Sequence, residues 1–186
     1  MENRKWLGPI RWIRFKCWFI FDLPYFIKQH QLETGLELGA KAGRSMFHTL
    51  RVNPSLQLTG IDLWEVIEGG AYKNNDANEN KCRERLKRFT GRVNLLRGDA
   101  VLLADNLENE SLDFIFYDLA CKHMEERHPE LLAKCLAKLR RGGLLIGRDF
   151  RNFRGSFYEL GFVEKDIQRC TIGSRTSERL EYVVKT

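Results

Sequence analysis

No apolar run in this chain of 186 residues reaches the about 18 uncharged positions that a membrane-spanning helix needs. A transmembrane protein is therefore not expected. Cysteine is also too sparse to build with: Cys17, Cys82, Cys121, Cys135 and Cys170 are odd in number, lie far apart and form no C-x-x-C pair. This argues against a disulfide framework and against a structural zinc site, and a reducing, cytoplasmic compartment is the expectation. The opening "MENRKWLGPIRWIRFK" is broken by arginine and lysine and has no small-residue cleavage site after it, so no secretory signal is expected. Internal repeats, low-complexity linkers and dense basic runs are absent too. The net charge of +6 is spread along the chain. It fits ordinary solvated faces, and it leaves open an anionic partner such as nucleic acid, an acidic substrate or a membrane surface.

What is present is a pattern of strands alternating with helices. An apolar fraction of 43% and a charged fraction of 30% suit one globular domain with a core of its own. "GLELG" reads as a first buried strand and "GRSMFHTLRV" as a helix closed at Asn53-Pro54. "LQLTGIDLW" is a second strand. "NENKCRERLKRFTG" sets Cys82, Leu86 and Phe89 at helical spacing before Gly91, and "RVNLLRGD" is a third strand. "LDFIFYDLA" is the most strand-like run, "PELLAKCLAKLRRGG" predicts a helix from its proline to its glycines, and "LLIGRDF" is a fifth strand. Two more strands are expected in "GFVEKDIQRC…RLEYVVKT". The sum is an α/β fold with a mainly parallel sheet covered on both faces, in which ligands bind beyond the carboxyl ends of the strands. Chemistry is expected at Glu37 to Gly43, Asp62, Asp99, Asp118 and Asp149.

The turn "LELGAKAG" discriminates between ligands. A dinucleotide fingerprint needs G-x-G-x-x-G, but counted from Gly39 its second and third glycine positions hold Lys41 and Arg44. A phosphate loop needs G-x-x-x-x-G-K-[ST], and counted from Gly35 its second glycine is Ala40. S-adenosylmethionine carries an ammonium and a sulfonium and no phosphate, so an acid such as Glu37 is welcome beside it. The run Glu37-Leu38-Gly39-Ala40-Lys41-Ala42-Gly43 resembles the E-x-G-x-G-x-G turn of class I S-adenosylmethionine-dependent methyltransferases, with Lys41 at the usual middle glycine. Asp62, 23 residues beyond Gly39, stands near the about 20 expected of a carboxylate that binds ribose hydroxyls. Leu63 and Trp64 are placed to wall the adenine, and "RGDA" is similar to the family segment that reads the adenine edge, which nominates Asp99 and Ala100. Each match has a plainer alternative: a tight turn at Gly39 and Gly43, a cap at Asp62, a helix N-cap at Asp99. The resemblance implies a Rossmann-like methyltransferase fold with a seven-stranded, mainly parallel sheet. It assigns residues 32–186 to the donor-binding domain and leaves 1–31 as an N-terminal helical cover.

"FIFYDLACKHMEE" followed by "GGLLIGRDF" is similar to O-methyltransferases of the catechol and macrolide-sugar type, with acids after the fourth and fifth strands. Asp118 and Asp149 match them, and in metal-using members such acids hold Mg²⁺, so the resemblance keeps Mg²⁺ at Asp118 and Asp149 open. The further metal-ligand position is Phe150. His123 resembles the histidine base of that subgroup, a surface histidine being the alternative, and His128 before Pro129 is expected only to cap a helix. Arg148 suits an anionic substrate or a neighbouring carboxylate. The implied activity is O-methylation of a hydroxyl on a small molecule or sugar. An RNA or other nucleic-acid acceptor and a non-catalytic donor-binding module are the rival readings.

Trp12, Phe15, Phe19 and Phe26 fall along one helical face, and Pro24 is expected to divide two short helices. This segment suits a cover over the sheet, with peripheral membrane contact, nucleic-acid contact and dimerisation as alternatives. "WEVIEGGAYKNNDANENK" is long for a connection and reads as a lid or substrate loop, in which Tyr72 and Lys73 could reach an acceptor.

Overall fold

The computed structural model describes residues 19–65, 76–119, 122–148, 150, 154–172 and 175–186. Seven strands form one sheet in the order β3-β2-β1-β4-β5-β7-β6. Strands β1 (Thr34–Leu38), β2 (Gln57–Asp62), β3 (Val93–Arg97), β4 (Leu112–Tyr117) and β5 (Leu139–Arg148) run parallel. β7 (Arg175–Val184) is antiparallel to both β5 and β6 (Gln168–Ile172). The chain order reverses between β1 and β4, and this places a ligand crevice at their carboxyl ends.

The pleat sorts the apolar runs into two cores. Phe114 and Phe116 of β4 face α1 (Phe19–Gln29), α2 (Arg44–Val52) and α3 (Asp76–Leu86), where they join Leu23, Phe26, Met46, Leu50 and Leu86. Ile115 and Tyr117 face the other side with Leu131, Leu132 and Phe157, under α4 (Ala100–Ala104), α5 (His128–Lys138) and α6 (Arg154–Glu159). Each such buried side chain stabilises by about 1.5–3 kcal/mol, and a one-residue slip of β4 would exchange the two sets. Gly35 belongs to this packing, because a Cβ there would lie 2.2 Å from the Phe114 ring.

The expected strand and helix alternation holds, with three corrections. Pro24 does not divide two helices; it lies inside α1, where its carbonyl accepts from Asn53 Nδ2 at 3.0 Å and ties α1 to the end of α2. Helix α5 stops at Lys138 and does not run to the glycines: Leu139 is already extended and pairs with Leu112. Gly142, at φ +77°, helps β5 absorb a register shift before Leu144 pairs with Phe114. "GFV" is no strand, since β6 begins only at Gln168 after a 3-10 turn at Glu164–Asp166. Helices α4 and α6, of five and six residues, are too short to leave a periodic pattern in the sequence.

Candidate active site

Three left-handed residues shape the turn after β1: Gly39 at φ +91°, Lys41 at +47° and Gly43 at +67°. Two of them must be glycine for want of room. A Cβ on Gly39 would lie 2.7 Å from the Asp118 carbonyl, and one on Gly43 would lie 2.8 Å from Cys82 Sγ. Lys41 has no such exemption, and an L-residue in this region costs roughly 1–2 kcal/mol. Both of its peptide groups are clamped. Its N–H donates to Asp62 Oδ2 at 2.7 Å, and its carbonyl accepts from the Trp64 indole at 2.7 Å.

This gives Trp64 a role that the sequence did not suggest. It is not an adenine wall: fully buried in the core beside α3, it props the turn from behind, and Arg83 lies 5.9 Å over its ring. Trp64→Phe keeps the packing and leaves the Lys41 carbonyl without its indole donor. It is expected to cost about 1–2 kcal/mol, read as a lower urea midpoint with an unchanged slope.

The amides of the turn are directed inward. Gly39 and Ala40 donate to the Ile61 carbonyl at 2.9 and 3.3 Å, Gly43 donates to the Ala40 carbonyl at 2.7 Å, and Lys41 is held by Asp62. A phosphate cradle needs several such amides aimed at the ligand. What converges on the crevice instead is three carboxyl groups: Glu37 on β1, Asp62 on β2 and Asp118 after β4. Glu37 is buried and accepts from the Ser45 hydroxyl. Burial pushes its carboxyl up to about 8; the Ser45 bond opposes this, while the Asp118 and Asp62 charges add to it. The same field reaches the Cys82 thiol, pushed up to about 12 by burial first and by Glu37 and Asp62 next. Asp62 also accepts from the Trp64 amide at 2.8 Å, so each of its oxygens is shown holding one backbone N–H.

Leu63 is half-buried next to Asp62. Asp99 caps α4, accepting from the Val101 and Leu102 amides at 2.8 and 3.3 Å, and its carboxylate receives both arms of Arg127 at 2.6 and 3.0 Å. The Arg127 guanidinium holds it below the usual carboxylate range. Ala100 follows as the first residue of α4.

Asp118 forms an ion pair with Arg148 at 3.2 Å. The side chain of His123 lies outside the described residues, as do Asp149, Tyr72, Lys73 and residues 1–18. His128 is more than a cap: its buried ring sits 2.5 Å from the Tyr117 hydroxyl through Nδ1, which joins α5 to β4. Phe150 is fully buried against Phe157, with ring centroids 4.7 Å apart, so the further metal-ligand position is occupied by core. Among the described residues no group of three or more His, Cys, Asp or Glu could hold a metal ion. Asp118 already faces a guanidinium. Among the described residues the set at Asp118, Arg148 and Phe150 does not fit a divalent cation, and Asp149 lies outside them.

A family model described as a methyltransferase domain matches residues 36–150, from β1 through the end of β5. The chain belongs to this methyltransferase family. Solved structures share the methyltransferase fold at low identity. One is a Staphylococcus aureus protein assigned as a caffeoyl-CoA O-methyltransferase, with a TM-score of 0.63 at 17% identity over 90% of this chain and 83% of that one. An assigned O-methyltransferase from Klebsiella pneumoniae gives 0.62 at 21%, covering 96% and 84%. TomG of Streptomyces achromogenes, an O-methyltransferase involved in tomaymycin synthesis and solved with S-adenosylmethionine, gives 0.62 at 18%, covering 89% and 78%. No curated protein matches the sequence. Within the methyltransferase the glycine turn, Asp62 and Asp118 all fall inside the matched segment, and no described helix is long and apolar enough to cross a membrane.

Proposed function

We propose that the chain transfers a methyl group from S-adenosylmethionine to a hydroxyl on a small molecule or sugar. The observation that carries the donor is the turn itself, whose amides are directed inward beside three carboxyl groups, Glu37, Asp62 and Asp118, with the buried Glu37 ready to give up its proton to a cationic ligand. A sulfonium nucleoside is favoured by such a site and a pyrophosphate is repelled. The Asp62 carboxylate at the end of β2 would take the ribose hydroxyls. The Gly39 to Gly43 turn would hold the methionine end, and Leu63 and Ala100 would flank the base. Asp99 Oδ2, with one arm of Arg127 on it, keeps an acceptor direction for the adenine amino group.

S-adenosylmethionine supplies an electrophilic methyl carbon on sulfur. The work of the chain is to align an acceptor oxygen with it and to exclude water. The oxygen lone pair forms the new C–O bond, sulfur keeps the electrons of the broken bond, and the hydroxyl proton goes to a base, for which His123 and Asp149 are proposed. Arg148, paired with Asp118, would steady the developing oxyanion, and catalysis without metal is proposed. Three buried free thiols, Cys82, Cys135 and Cys170, support the cytoplasmic setting.

The test is transfer of labelled methyl to a panel of phenols, catechols and sugars, together with donor titration. Asp118→Ala, His123→Ala and Asp149→Ala should each lower transfer by about 10²-fold or more while donor binding stays measurable, and a chelator should leave the wild-type rate unchanged. Full activity in all three variants discards the catalytic assignment, and loss of activity with the chelator discards the metal-free one.

A further inference from the structure

A second concave site lies at the opposite end of the sheet. It is a cavity of about 420 Å³ between the end of α2 and the 3-10 turn Lys87–Phe89, lined by Leu50, Arg51, Pro54, Arg88, Phe89 and Arg92. Arg51 and Pro54 precede β2 and Arg92 precedes β3, whereas the glycine turn follows β1. At about 3.3 Å per strand residue, the length of β2 alone separates the cavity from the donor crevice by roughly 17–20 Å, so it receives neither the donor nor the hydroxyl being methylated.

Three guanidiniums line this cavity and no carboxylate does. Nearby cations have acids of their own: Arg83 pairs with Glu79, Lys87 with Glu84, and Arg97 with Asp76 and Glu79. Arg51, Arg88 and Arg92 enter no ion pair among the described residues. Two of the three are held in place by Phe89 and the end of α2, and Arg51 stands exposed beside them. Arg88 and Arg92 lie 5.9 and 5.3 Å from the Phe89 centroid, and Arg92 donates to the Asn53 carbonyl at 3.0 Å. Arg92 thereby covers the carbonyl end of α2, whose partial negative charge would otherwise oppose an anion. The positive field is felt by His48, held below its ordinary range by burial and then by Arg51 and Arg85. Three like charges held together around a concave surface are stabilised by an anion, and guanidinium forks match phosphate oxygens in pairs.

We infer that the cavity formed by Arg51, Arg88 and Arg92 is a binding site for a small phosphate-bearing anion, separate from the methyl-transfer site.

The test is calorimetric titration of the full chain with inorganic pyrophosphate at constant ionic strength. The comparison is between wild type, Arg51→Ala/Arg88→Ala, and a control of equal charge change, Lys165→Ala/Arg169→Ala. Arg92 is left in place because it caps α2. One-site binding that weakens at least tenfold in the Arg51/Arg88 variant alone, with S-adenosylmethionine affinity unchanged in all three proteins, is expected. Absence of pyrophosphate binding to wild type, or equal weakening in the control, overturns the site. If S-adenosylmethionine fails to bind wild type while pyrophosphate behaves as expected, the donor assignment falls and the anion site stands.

Discussion

Asp62→Ala is expected to weaken S-adenosylmethionine binding by about 10²–10⁴-fold, the largest loss of any single substitution in the donor crevice. Two effects add. The carboxylate is the proposed partner of both ribose hydroxyls, and hydrogen bonds to a charged group contribute about 1.5–3 kcal/mol each. It also holds the Lys41 and Trp64 amides at 2.7 and 2.8 Å. Removing it leaves two backbone donors unsatisfied and frees Lys41 from a left-handed conformation that nothing else in its own residue favours. The turn then relaxes and the donor loses its cradle. Asp62→Asn separates the two effects, because its amide keeps one acceptor oxygen but sets an NH₂ against one of the two N–H groups. Its affinity should fall between wild type and Asp62→Ala. Calorimetric titration at pH 8 decides, with thermal unfolding run beside it to establish that each variant is folded. A folded Asp62→Ala or Asp62→Asn protein that binds within threefold of wild type removes Asp62 from the site.

The same residue shows what the sequence could disclose. Asp62 ends an apolar strand and follows a glycine turn at the expected distance, and both are local patterns that strand period and spacing expose. The central strands were legible for that reason: fully buried parallel strands are near-continuous apolar runs. Trp64 was not legible in its true role. Whether an aromatic after a strand end walls a ligand or props a turn depends on a left-handed φ of +46° and on a carbonyl 23 positions away. Arg127 finds Asp99 across 28 positions, and His128 finds Tyr117 across a helix boundary. Neither contact leaves a period in the chain. The glycines after α5 misled because glycine ends helices and also opens bulges, and only the pairing of β5 with β4 distinguishes the two.

Donor affinity is expected to rise with pH from about 6 to about 8 and then level off, by up to tenfold per pH unit, and Glu37→Gln should abolish that dependence. Burial and two neighbouring carboxylates push the Glu37 carboxyl up to about 8, so near neutral pH the empty crevice holds a proton there. A cationic ligand favours the carboxylate and expels the proton. Binding measured in buffers of different ionisation enthalpy should show release of up to one proton at pH 7 in wild type and none in Glu37→Gln. The sign for folding follows from the same shift. The folded carboxyl titrates above its unfolded value of 4.5, so between about 4.5 and 8 the folded state binds more protons than the unfolded one. The contribution of Glu37 to stability is therefore full below 4.5 and lost as pH rises through 8. Glutamine keeps the shape and cannot ionise. It should match wild type in melting temperature near pH 5, exceed it near pH 8.5, and bind the donor about 10–100-fold more weakly there, because a charge beside the ammonium is gone. A wild-type affinity that stays flat from pH 6 to 8, with no proton released, would mean that the Glu37 carboxyl does not answer to the ligand and that the acids of this crevice serve the fold alone.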